Sequence, residues 1–233
     1  MTLDRGGLSR ERVPPAFDAG AAAYDRLVAV NPGYHAQLRL SARRLGGAGL
    51  RLLDAGCGTG ASTAALLTAF PHARITAVDA SAGMLAEARR KSWPATVTFV
   101  HSRIEDFGAG EDFDGIFAAY LLRNLADPDR QLTAFRTALR PGGRLALHEY
   151  SVRDSRRARV VWNLVCGTIV IPAGRLVTGD ATLYRHLRRS VLAFDGLGTL
   201  AGRLDRAGFT DVRVHPMSGW QRGIAHTVTA TAR

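Results

Sequence analysis

The sequence predicts an α/β fold, a mostly parallel sheet with helices on both faces, on three observations. Between residues 50 and 150, short apolar runs alternate with stretches of helical spacing. The string LLDAGCGTG (52–60) sets three glycines between one apolar run and the next helix. The chain closes on two stretches joined by SGWQ (218–221), the second carrying alternating β-branched residues in TVTAT, the pattern of an antiparallel hairpin at a sheet edge.

The elements follow in order. Residues 1–15 are polar and Pro-terminated and read as a disordered tail ahead of a single domain over 16–233. From 16 to 45 the spacing is helical, with a turn forced at NPGY (31–34), and this forms an N-terminal cap. GGAG (46–49) resets the chain. The alternation then gives strand 50–55, helix 60–69, strand 73–79, helix 81–91, strands 95–101 and 113–119, helix 129–139 and strand 144–150. LRPGG (139–143) ends the last helix, because proline cannot continue it and the glycines permit reversal. Residues 152–195 turn helical and Arg-rich, an insert read as a lid over the carboxyl edge of the sheet. Helix 196–207 and strands 210–217 and 222–231 complete the chain.

Composition bounds the function. At 233 residues and 46% hydrophobic content the chain can bury a sizeable core. Lys and Arg total 31 against 20 Asp and Glu, a formal charge of +11, and Lys91 is the sole lysine. Such charge favours anionic partners, but no aromatic-basic motif accompanies it, so nucleic acid is not expected as a partner. Cys57 and Cys166 stand apart without metal-site spacing, so no disulfide framework or metal is implied and a reducing cytoplasm fits. The N-terminus has no apolar signal core. The run 160–174 holds Asn163 and is broken by Pro172, leaving it short of a membrane span.

The glycine loop has two candidate ligands. Gly56, Gly58 and Ala61 satisfy the GxGxxA form of a dinucleotide fingerprint, and Asp79 at the end of the second strand suits two ribose hydroxyls in either case. Asp54, two residues before the first glycine, would repel a pyrophosphate but suits the ammonium of an amino-acid tail, directly or through water. With the helical segment before the first strand and the closing hairpin, this favours S-adenosylmethionine over NAD. The NAD-dependent oxidoreductase is the alternative from another class, and a glycine-rich turn without a ligand is the bland reading.

LLDAGCGTG, AVDASAGMLAEAR (77–89), FVHSRIEDF (99–107) and LRPGGRLALHEYS (139–151) resemble the successive motifs of class I S-adenosylmethionine-dependent methyltransferases. FDAGAAAYDRL (17–27), LLRNLADPDRQL (121–132), LYRHLRRSV (183–191) and AGFTDVRV (207–214) narrow the resemblance to the ubiquinone/menaquinone biosynthesis C-methyltransferase family. The resemblance implies a Rossmann-like seven-stranded sheet and S-adenosyl-L-methionine as cofactor. It places Asp54, Gly56, Cys57, Gly58 and Gly60 along the methionine portion and Asp79 on the ribose. Ala80 and Met84 flank the adenine, and Tyr24 and Tyr120 join the cofactor set. Where the family carries an Asp for the adenine amine this sequence has Arg103, which cannot accept from it, so Ile104 takes more of the recognition or Arg103 stacks on the ring.

On the acceptor side, removing a phenolic proton makes a hydroquinone ring carbon nucleophilic, and a histidine is the natural base. His148, at a strand's carboxyl end, is the candidate, against a hydrogen-bonded structural histidine. Arg123 is expected to stabilise a phenolate and Tyr184 to act with it in catalysis. Asn124, Glu149, Trp162 and Arg185 are expected to bind substrate, although Glu149 reads equally as a buried partner for arginine and Asn124 as a cap. NPGY before His35 has only a superficial likeness to the NPPY of amino-methylating enzymes. The insert from Val152 to Gly179 departs from the family, so O- or N-methylation of a secondary metabolite remains an alternative to C-methylation of a demethylmenaquinol-like ring. The acceptor is expected to be aromatic and apolar, the location cytoplasmic with peripheral membrane contact, and a homodimer is the assembly considered.

Overall fold

A computed structural model of the protein describes residues 13–29, 31, 33–46, 51–108 and 112–233. The tail expected to be disordered lies outside the described residues up to residue 12, while Val13, Pro14 and Pro15 open the first helix. Pro14 and Pro15 are tolerated there because a first-turn residue has no intrahelical partner for its N–H.

Helices α1 (Val13–Ala29) and α2 (Tyr34–Arg44) precede the sheet, and Gly33 at φ 87° makes the turn between them. The alternating core then runs β1 (Arg51–Ala55), α3 (Ala61–Ala69), β2 (Arg74–Asp79), α4 (Ala82–Arg89), β3 (Val97–His101), β4 (Phe113–Ala119), α5 (Pro128–Ala138) and β5 (Leu139–Tyr150). The lid follows as α6 (Arg156–Val165), a π-helical turn over Cys166–Val170, α7 (Ile171–Thr178) and α8 (Thr182–Ala193). The chain ends with α9 (Leu197–Arg206), β6 (Phe209–Pro216) and β7 (Ala225–Ala232).

The sheet has seven strands in the order β3-β2-β1-β4-β5-β7-β6. β7 runs antiparallel to both β5 and β6, and the remaining pairs are parallel. β1 pairs with β2 on one side and β4 on the other, so the strand order reverses there and a crevice opens beyond the carboxyl ends of β1 and β4. Leu52 to Ala55 in β1 are all buried, as a parallel strand covered on both faces requires. One core layer joins Phe113, Phe135, Leu145 and Leu204. The opposite layer joins Leu38, Leu66, Ile75 and Phe117.

Two local expectations change. β5 begins at Leu139, which pairs with Phe113 before the register shifts, so LRPGG enters the strand rather than preceding it. Pro172 does not break the lid helix. In the π turn the Ile171 N–H reaches back to the Cys166 carbonyl, and this extra residue per turn relieves the contact a proline makes with the preceding turn. Arg156–Thr178 is one helix of 23 residues, long and apolar enough by length and composition to cross a membrane.

Candidate active site

A cavity lies in the crevice, walled by the glycine loop, the end of β2, the loop after β4 and α1. Of the residues expected to hold the cofactor, Gly56, Cys57, Gly58, Asp79, Ala80 and Met84 line this cavity, together with Arg103, Ile104 and Tyr24. Gly58 adopts φ 54°, and a Cβ added there would meet nothing within 4 Å, so the absent side chain leaves space for a ligand to approach the backbone.

Asp79 accepts from Gly58 N at 2.7 Å and Ser81 N at 2.9 Å. These bonds fix the carboxylate at the cavity wall and leave lone pairs for two hydroxyls. Burial raises its pKa despite the bonds that oppose the shift.

Asp54 stands behind the loop, fully buried, and does not line the cavity. Its Oδ2 accepts from Ser62 Oγ at 2.8 Å and Thr63 Oγ1 at 2.6 Å, whereas Oδ1 is buried without a partner. An unsatisfied buried carboxylate oxygen is costly, so the site suits a cation or a bridging water at that atom. Desolvation pushes its pKa up to about 7.

Gly60 departs from the expectation. It is outside the cavity, and a Cβ there would come within 2.7 Å of the Trp93 ring, so glycine serves helix packing at φ 90° rather than ligand approach. Arg103 pairs with Glu105 at 3.2 Å, and Glu105 also lines the cavity.

The wall near the loop after β4 is aromatic. Tyr120 holds φ 58°, a conformation a bulky side chain rarely adopts. Its ring stacks on Tyr34 at 5.9 Å and lies 4.6 Å from Tyr150, and the Arg123 guanidinium carbon sits 5.5 Å over it. Arg123 and Asn124 both line the cavity. Arg123 donates to Glu149 at 2.7 Å, both side chains being almost fully buried. Glu149 therefore orients Arg123 instead of meeting substrate. Asn124 donates to the Tyr120 carbonyl at 3.2 Å, and its Oδ1 lies 3.3 Å from His186 Nε2 on the lid.

Four further expectations are corrected. His148 is fully buried behind Tyr120, bonded through Nε2 to the Tyr120 hydroxyl at 2.9 Å and through Nδ1 to Ser41 Oγ at 3.0 Å. Desolvation, with nearby Arg44, His226 and Arg123, lowers its pKa to about 3, so it stays neutral at physiological pH and cannot touch an acceptor in the cavity. Tyr184 packs its ring on Gly174 inside the lid, and neither it nor the exposed Arg185 lines the cavity. Trp162 is buried under α8, donating to the Arg188 carbonyl at 3.4 Å and packing 4.8 Å from Tyr150. Trp162 is taken up by a small core in which the lid residues Cys166 and Val191 pack with Tyr150, Met217 and Ala225, whereas His148 is held by Ser41 and Tyr120.

Sequence reasoning missed the residues that hold the cap. Asp18 accepts from Ser81 Oγ at 2.5 Å and Gly83 N at 2.8 Å. Asp25 accepts from Thr59 Oγ1 at 2.5 Å and pairs with Lys91 at 2.6 Å. Asp18 and Asp25 lie seven residues apart on α1, a spacing that puts both on one helix face, and that was the available signal.

A family profile described as the ubiE/COQ5 methyltransferase family matches residues 6–231. The chain belongs to this family. It is 33% identical over 215 residues to the demethylmenaquinone methyltransferase of Clavibacter sepedonicus, covering 89% of this chain and 87% of that one. It is also 33% identical over 212 residues to the ubiquinone/menaquinone biosynthesis C-methyltransferase UbiE of Syntrophotalea carbinolica, covering 88% and 89%. In fold it is similar to phosphoethanolamine N-methyltransferase 2 of Haemonchus contortus in complex with S-adenosyl-L-methionine, with a TM-score of 0.69, 19% identity, and 98% and 61% of the two chains covered. The N-methyltransferase NodS of Bradyrhizobium japonicum, in complex with S-adenosyl-l-homocysteine, matches at a TM-score of 0.63, 20% identity, 95% and 98% covered. The ubiE/COQ5 member described here is an S-adenosylmethionine-dependent methyltransferase, and the dinucleotide alternative is set aside.

Proposed function

We propose that this family member transfers a methyl group to a ring carbon of a quinol-like aromatic acceptor such as a demethylmenaquinol. The observation that carries the reading is the aromatic wall of Tyr24, Tyr34 and Tyr120, with a buried Arg123 beside it, in the same cavity as the glycine loop. The two curated relatives, named for quinone methylation, support the choice of acceptor.

The cofactor, when bound, supplies an electrophilic methyl group. The chain's own residues position and exclude. Asp79 binds the ribose hydroxyls, and Asp54, behind the loop, reaches the ammonium end through a water on its free oxygen. Glu105, at the cavity wall, accepts from the adenine amine in place of the Asp that Arg103 replaces. Tyr34 and Tyr120, stacked on each other, wall one side of the acceptor ring and exclude water, while Arg123 stabilises the phenolate that activates the attacking carbon. Burial holds the Tyr120 phenol well above its ordinary pKa, so it acts as a hydrogen-bonding group and not as a base. His148 fixes where that phenol points.

This reading includes a cytoplasmic protein that meets an apolar acceptor at a membrane surface, with a homodimer as the competing assembly. The test is incubation with methyl-labelled cofactor and a short-chain demethylmenaquinol, the product located by mass spectrometry. A ring C-methyl product is expected, and a methyl ether would replace the C-transfer reading by O-transfer. Arg123→Ala combined with Glu149→Gln, which avoids leaving a buried carboxylate unpaired, should lower kcat about 100-fold and leave cofactor affinity within about twofold. Asp79→Ala should raise the cofactor Kd at least about tenfold, and unchanged binding would remove the ribose role.

A further inference from the structure

The lid helix presents an apolar stripe that none of the described residues covers. Val160, Leu164, Ile169 and Leu176 are 67%, 63%, 61% and 86% exposed. The π turn keeps them aligned, because five residues separate Leu164 from Ile169 where an unbroken α-helix would return in four. The helix is about 34 Å long. Its other face is committed to the protein. Ala158, Trp162 and Cys166 are buried, and Arg188 on α8 bonds Asn163 at 2.8 Å.

Charge decides what covers the stripe. Arg157 and Arg159 flank it by helical spacing, Arg156 lies at its start and Arg175 beside Leu176, all exposed and none in an ion pair among the described residues. Residues 152–189 hold eight arginines against two acids, Asp154 and Asp180. Asp154 caps the start of α9 through Leu197 N at 2.7 Å, and Asp180 bonds Thr182 N at 2.9 Å. Two copies meeting on this face would bring like charges together. An anionic bilayer neutralises the arginines and takes the apolar side chains into the headgroup boundary.

We infer that the exposed face of the Arg156–Thr178 helix docks this protein in the plane of an anionic lipid bilayer, lying on the membrane rather than spanning it. A spanning helix would have to strip Trp162 and Asn163 from α8, whereas an interfacial one keeps both contacts. The inference rests on the proposed apolar acceptor only for its use, since the surface itself stands on exposure and charge.

Sedimentation with phosphatidylglycerol/phosphatidylcholine vesicles tests it against pure phosphatidylcholine vesicles. The expected result is at least about tenfold stronger partition onto the anionic vesicles, weakened in high salt, and lost at least about tenfold in Ile169→Glu/Leu176→Glu. Turnover of a water-soluble short-chain acceptor by that variant should match the parent protein. Three results would overturn the inference: no binding to either vesicle, binding unchanged in the double variant, or a solution dimer at sedimentation equilibrium that the double variant dissociates. Because the soluble-acceptor assay reads the proposed function separately, activity without vesicle binding sinks only the docking face, and vesicle binding without activity sinks only the acceptor assignment.

Discussion

Asp54 shows how one buried oxygen couples folding, binding and pH. Its carboxyl has a pKa of about 7 in the folded chain against 3.8 for the ordinary group, with desolvation the first cause and the Ser62 and Thr63 hydroxyls opposing it. Between these values the unfolded chain has released the proton and the folded chain retains it, so this group makes stability fall as pH rises from about 4 to about 7. The cofactor's ammonium favours the ionised form, so affinity moves the other way. If the ionised form alone binds, the cofactor Kd should drop about fivefold between pH 6 and pH 7, with proton release visible by calorimetry in buffers of different ionisation enthalpy. Asp54→Asn should give a flat profile, and a profile unchanged by that substitution would remove Asp54 from the cofactor's reach. The acid and the glycines around it were readable because loop, strand and helix adjoin in sequence. That Gly60 faces Trp93 was not, since the ring arrives from 33 residues further on.

Helix α1 rides on the cofactor loops through two acids. Asp18 sits at the N-terminus of α4, where it meets the Ser81 hydroxyl and the Gly83 N–H, and Asp25 grips Thr59 within the glycine loop. Carboxylates at a helix N-terminus are favoured by its dipole, and the Asp25–Lys91 pair is half-exposed and contributes little alone. The clamp therefore holds a cap over the cavity without forming part of the sheet core. Asp18→Ala/Asp25→Ala should speed cofactor release about tenfold in stopped-flow displacement, and the thermal unfolding midpoint of the cofactor-free protein should shift by no more than a few degrees. A release rate equal to that of the parent protein would make α1 a passive cover. The alternation of strands and helices was readable from local period and Gly/Pro punctuation, which is why β1 to α5 fall within a few residues of expectation. The uninterrupted lid helix was not, because the π turn that accommodates Pro172 leaves no compositional mark.

The site is held in place by a path that crosses the molecule. Arg44 on α2 donates to Thr227 Oγ1 on β7 at 3.2 Å, Thr227 and Ser41 share a bond of 2.7 Å, Ser41 meets His148 Nδ1 on β5, and His148 Nε2 meets the Tyr120 hydroxyl after β4. Arg44 can only donate, and in the order in which Thr227 donates to Ser41, Ser41 in turn donates to His148 Nδ1. That order leaves Nε2–H donating to the Tyr120 oxygen, so the phenol's own proton is free for Tyr150 or an acceptor. Sequence separations of 107 and 186 residues between its members hid this path, and His148 therefore read as a base. Its pKa of about 3, against 6.5 for an ordinary histidine, has a defined sign. Between these values the unfolded chain binds a proton that the folded chain refuses, so the group lowers stability as pH falls from about 6.5 to about 3. Across pH 4 to 6.5 it opposes Asp54 and flattens the combined dependence. His148→Gln removes one arm of this balance and should make the protein lose less stability on acidification, read from thermal unfolding midpoints at pH 5 and pH 7. The same variant should lower kcat about tenfold with the cofactor Kd unchanged, because Tyr120 loses the group that aims it. A kcat–pH profile of the parent protein with a histidine-like inflection near 6.5 that vanishes in His148→Gln would instead return His148 to the role of base.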